Sequence, residues 1–186
     1  MSSKRGQLII ALPDLVDPNF HQTVTLIVEH TEEGALGLTL NRPTQTTVKQ
    51  AWAALEEAPG TPCHHTGLVY LGGPCPGPLM ILHTLEDRAQ AMVCEGVYFT
   101  AEPDHITWLL EHNQQPMKCF GTHAGWGPGQ LDTEIEHQSW ISRPATTADV
   151  LEAGPRQWLD LIRKINPSQA AFVANPDLLK TDPSMN

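Results

Sequence analysis

Long apolar runs are missing from this chain. The first apolar stretch, Leu8-Ile9-Ile10-Ala11-Leu12, meets Pro13 after five residues. A membrane helix needs about 20 such residues and the core of a signal peptide about 7–15. No membrane partner is therefore expected, and a cytoplasmic location is. Paired cysteines are missing too: Cys63, Cys75, Cys94 and Cys119 show no C-x-x-C spacing, so free thiols in a reducing compartment are expected. Positive charge is scarce. Eleven Lys and Arg face 21 Asp and Glu, a net charge of −10 with histidines neutral, and the only adjacent basic pairs are Lys4-Arg5 and Arg163-Lys164. Nucleic-acid affinity draws on Lys and Arg against phosphates, so direct nucleic-acid binding is not expected. The sequence also lacks H-E-x-x-H, G-x-S-x-G and a phosphate loop: Gly125 to Gly129 has no Lys-Ser/Thr ending, and Pro128 lacks an N–H.

What is present is punctuation. Sixteen prolines and 14 glycines in 186 residues cut the chain into short elements. Leu8–Leu12 reads as a buried strand. Residues 23–30 and 35–41 flank the polar turn Thr31-Glu32-Glu33-Gly34 and read as an antiparallel hairpin. Thr47 with Gln50 three residues later is a capping-box pattern, and Val48, Ala51, Trp52 and Leu55 form the stripe of a helix over 48–57. Strands follow at 68–71, 79–83, 97–100 and 117–120, with a further short one around Trp140. Pro103 opens a second helix reaching about Asn113, and Pro155 opens a third with the stripe Trp158, Leu161, Ile162 and Ile165. The expected fold is α+β: a mainly antiparallel, bulged β-sheet with about three helices packed on it. Residues 1–175 form one domain, and residues 176–186 are expected to be a mobile tail.

The chain is organised around Gly121 to Ile135, where glycines, Pro128 and Trp126 stand among His123, Gln130, Asp132 and Glu134. It reads as a shaped loop. Gly125, Gly127, Pro128, Gly129 and Asp132 give it structure. Asp132 and Glu134, two apart, would share a face of an extended segment. Arg42, His83, Trp126, Gln130 and Glu134 form the candidate ligand-binding set beside that loop. Arg42 can clamp a carboxylate or phosphate, or can pair with Asp132 or Glu134 to pin the loop. His83, His123, Asp132 and Glu134 can be grouped as a metal or acid–base site. The competing role for the carboxylates is to accept hydrogen bonds from the loop's backbone N–H groups. Cys63 and Cys119 read as buried thiols. No catalytic residue, metal or cofactor is assigned. The leading expectation is a non-enzymatic protein binding a protein partner or a small ligand; the competing one is a hydrolase-like or metal-dependent enzyme using His83 and Glu134.

Several blocks taken together are distinctive: Leu8 to Pro13, Asp17-Pro18-Asn19-Phe20, Gly34-Ala35-Leu36-Gly37-Leu38 and Asn41-Arg42-Pro43. They continue with Gly72-Gly73-Pro74, Leu82-His83, Ala124 to Leu131, Glu134 and Trp140. In this combination the chain resembles the YqgE/AlgH family, with His123 and Asp132 standing where that family usually has Tyr and Glu. The resemblance implies a bulged α+β fold in a cytosolic bacterial protein, and an association of the AlgH name with transcriptional regulation. It supplies no catalytic residues.

Overall fold

The computed structural model describes residues 2–54, 63–113, 115–137, 139–165 and 167. The first strand, β1 (Gln7–Ala11), has its last four residues buried, as an uninterrupted apolar run requires. It pairs antiparallel with β2 (Val24–Thr31), which forms the expected hairpin with β3 (Gly34–Thr39). A register shift between Ile27 and Glu29 bulges that hairpin. Two short pieces, β4 (Pro43–Thr47) and β5 (Leu68–Leu71), pair with each other. The rest of the sheet is β6 (Cys75–His83), β7 (Ala91–Cys94), β8 (Val97–Thr100), β9 (Lys118–Trp126) and β10 (Trp140–Pro144).

Strand order is β10-β1-β2-β3-β9-β6-β8-β7. All neighbours on this path are antiparallel; β5 attaches parallel to β9. The sheet curls until its two ends approach. The Arg5 guanidinium, just ahead of β1, donates to the Met92 carbonyl of β7, and a Cβ at Gly6 would lie 2.7 Å from the Val93 carbonyl oxygen.

Five α-helices stand among the described residues: α1 (Val48–Ala53), α2 (Pro103–Glu111), α3 (Gln130–Glu136), α4 (Thr147–Leu151) and α5 (Gln157–Ile165). About three were expected from apolar periodicity. The two extra ones, α3 and α4, are seven and five residues long, too short to display a period. The expected capping box at Thr47 and Gln50 is formed. The last residues of the helix expected over 48–57, and the C-terminal tail, lie outside the described residues.

Strand alternation feeds two cores. Phe120, Ala124 and Trp126 of β9, with Leu82 and Met80 of β6, enter a large core with β1, β2, β3, α4 and α5. Cys119 and Ile81 point the other way, into a second core with α1 and α2. Strand β9 serves both because its side chains alternate between faces and it lies inside the sheet, paired with β6 on one side and with β3 and β5 on the other.

Candidate functional site

The stretch expected to be one long loop is mostly regular. Strand β9 continues through His123 and Gly125 to Trp126, and only Gly127-Pro128-Gly129 separates it from α3. Ladder bonds on both edges hold this glycine-containing strand extended, overriding the weak strand propensity of glycine. The turn is closed by its own side chain: Gln130 Oε1 accepts the Gly127 N–H at 3.0 Å, and Gly129 takes φ 68° at the helix start. At Gly37 of β3 a Cβ would lie 2.8 Å from Thr25 Cγ2 and 2.9 Å from the Trp126 ring, so the indole rests where any other residue would collide.

Glu134 is the centre of this structure. One oxygen, Oε2, accepts both indole N–H groups, from Trp126 at 3.0 Å and Trp140 at 2.9 Å. The other, Oε1, accepts the Gln130 amide at 2.8 Å. The expected bracing role for a carboxylate is therefore met by indole and amide donors, and the backbone N–H of Gly127 goes to Gln130. Asp132 does not share this face. In a helix, residues two apart point in different directions, and Asp132 turns to the β2–β3 hairpin, where its Oδ2 lies 3.3 Å from His30 Nε2, in ion-pair range but out of line for a hydrogen bond. His30 Nδ1 accepts the Lys4 N–H at 2.9 Å, which places the neutral ring's proton on Nε2. A pocket of about 230 Å³ lined by Ser3, His30, Thr31 and Glu32 lies beside this pair.

Phe20 completes the site. Its ring stacks on Trp126 at 5.7 Å and meets Trp140 edge-on at 5.4 Å. Sequence patterns do not reveal this contact, because Phe20 belongs to an irregular loop far from both indoles along the chain. Arg42 holds the same loop: it donates to the carbonyls of Asn19 at 2.7 Å, His21 at 3.0 Å and Pro18 at 3.1 Å. These contacts replace the expected pairing with Asp132 or Glu134. Partial burial lowers the Arg42 pKa, opposed by nearby Asp17.

Arg42, Trp126, Gln130 and Glu134 are thus one connected structure, linked through Phe20. His83 is not brought into it. The ring is fully buried on the Ile81 side of β6, the face opposite Trp126. Its Nδ1 accepts the Leu85 N–H at 3.2 Å, while Nε2 has no hydrogen-bond partner. Burial, with His105 next and Asp87 opposing, lowers its pKa to about 4. Among the described residues no three His, Cys, Asp or Glu side chains converge as metal ligands. Cys63 and Cys119 are buried, and burial pushes the Cys119 thiol up; Cys75 and Cys94 are half-buried.

Comparison with known proteins agrees with this architecture. The chain is 36% identical to a UPF0301 protein of Alcanivorax borkumensis over 156 residues, 81% of this chain and 82% of that one. A UPF0301 protein of Myxococcus xanthus is also 36% identical, over 172 residues, covering 89% and 93%. The solution structure of the AlgH protein from Pseudomonas aeruginosa superposes with a TM-score of 0.70 at 27% identity, over 97% of this chain and 95% of that one. The model of the AlgH-like family matches residues 8–170, and the chain belongs to that family.

Proposed function

We propose that this protein works by binding rather than by catalysis, as a cytoplasmic regulatory protein that contacts a protein partner or small ligand and does not itself grip DNA. Its contact surface is the shelf made by Gly127 to Gln130 and the neighbouring loop that Arg42 holds. The observation that carries this reading is the state of Glu134. A general base must offer a lone pair to substrate, and this carboxylate already gives three of its roughly four lone-pair sites to N–H groups of its own fold. The Arg42 donors likewise meet three backbone carbonyls. Polar groups engaged in this way fix a shape, and a rigid, preorganised surface favours recognition. The net charge of −10 argues against phosphate backbones as the target.

Pro128 is exposed at the turn, which makes it a suitable probe. A chromosomal Pro128→Arg replacement should reproduce the transcript changes of a gene deletion, with the purified variant melting within about 1–2 °C of wild type, as suits a surface substitution. A replacement strain indistinguishable from wild type would sink this reading, as would saturable binding of the purified protein to duplex DNA.

A further inference from the structure

We infer that the loop from Leu15 to Gln22 is a preformed knob, tipped by Val16, which seats in an apolar socket with a basic rim on a protein partner. This rests on the binding role proposed above and specifies the chemistry of the partner.

Val16 is 84% exposed, more than any other large hydrophobic residue among the described residues. Its neighbours are anchored, since Leu15 and Phe20 both pack against the large core. Loop tips are ordinarily loose, but this loop is tied from within and from below. Asp17 Oδ1 accepts the Asn19 N–H at 2.7 Å, and the Asp17 carbonyl accepts from Phe20 and His21. His21 Nδ1 meets the Leu15 carbonyl at 3.0 Å. From the scaffold, Arg42 holds the carbonyls of Pro18, Asn19 and His21, and Asn41 Nδ2 donates to Gln22 at 2.9 Å. Most of the ordering cost that a loop meets on binding has therefore been met in folding. Arg42 and Asn41 are positioning residues here.

Charge selects the partner. In sequence the exposed Asp14 and Asp17 flank Val16, and the Arg42 guanidinium, near enough to Asp17 for the two charges to interact, spends its donors on this loop's carbonyls. An anionic rim around an apolar tip is repelled by nucleic-acid phosphates and by anionic lipid. It complements an apolar socket edged with Lys or Arg.

A photo-crosslinking benzoylphenylalanine in place of Val16, with exposed Lys49 as the control position, identifies what touches the tip in cells. The protein captured is then purified and titrated with wild type, Val16→Asp and Arg42→Gln. The expected outcome is an adduct specific to position 16 whose crosslinked peptide carries Lys or Arg beside apolar residues. Binding should weaken about tenfold or more in Val16→Asp, whose melting temperature stays at the wild-type value. It should also weaken as salt rises from about 50 to 300 mM. Arg42→Gln should weaken binding while leaving the Val16 side chain in place. No adduct above the control overturns the knob, as do an adduct with a second copy of this chain, a salt-independent affinity, or unchanged binding by Val16→Asp. If Val16→Asp binds as wild type while Pro128→Arg still mimics the deletion, the binding role stands and only the knob falls.

Discussion

His83 has one ring nitrogen bonded to the chain and the other facing protein. Folding holds it neutral, with a pKa lowered to about 4 by burial first and by His105 second, against the pull of Asp87. Between about pH 6.5 and pH 4 the unfolded chain takes up a proton that the folded one refuses, so stability falls as pH falls through that window. With allowance for solvent screening, the loss at pH 4.5 is about 2 kcal/mol. Urea unfolding of wild type and His83→Leu at pH 7.5 and 4.5 isolates it: the unfolding free energy of wild type minus that of the variant should fall by that amount on going to acid pH. An unchanged difference would mean that the ring is not held neutral.

That a carboxylate braces this stretch was legible, since its glycines and tryptophans carry many N–H donors. Not legible was that Glu134 rather than Asp132 does so, or that indoles and an amide replace the backbone as donors. The grouping of His83 with Glu134 was a different kind of statement. It depended on which face of β6 carries His83 and on which side of the sheet the helix of Glu134 packs, and in a bulged sheet that is settled by pairing partners distant in the chain. The Arg42 contacts escaped for a related reason: backbone carbonyls have no residue type to recognise.

At the scale of elements, Glu134 ties three together, since Trp126 ends β9, Gln130 opens α3 and Trp140 begins β10. Glu134→Gln tests this. A glutamine offers one carbonyl oxygen and two unwanted donors, so the indoles and the Gln130 amide can no longer all be satisfied. The expected cost is about 1–3 kcal/mol, with both indole N–H resonances moving in the NMR spectrum. Unchanged stability and unshifted indoles would show the carboxylate to be a bystander. Hairpin, capping box and the α2 and α5 stripes could all be read from residue order, because each reflects a local period or cap; only Ile165, at the end of the α5 stripe, is exposed where burial was expected. The extent of β9 could not. Its glycines look like a loop until two neighbouring strands supply the ladder. Helix α3 turns only Leu131 and Ile135 toward the core, a single apolar pair that is too little to read as a stripe.

Across the whole molecule, the α+β class and the antiparallel sheet were legible from composition and turn spacing, and the curl was not. The curl shows where Arg5 and Gly6, just ahead of β1, meet Met92 and Val93 of β7, contacts separated by much of the sequence. The two cores lie on opposite faces, yet β9 gives alternate residues to each. Small domains usually unfold in one step, and a strand shared in this way gives a structural reason for it here. Calorimetry should show one transition with equal calorimetric and van't Hoff enthalpies, and amides of residues 119–124 should exchange only on global opening. Two resolved transitions would contradict this.

A shared strand also makes the two faces poor neighbours for independent change. A substitution under α2 loosens the same backbone that seats Trp126, so sequence drift on the side away from the proposed contact surface alters that surface without touching it.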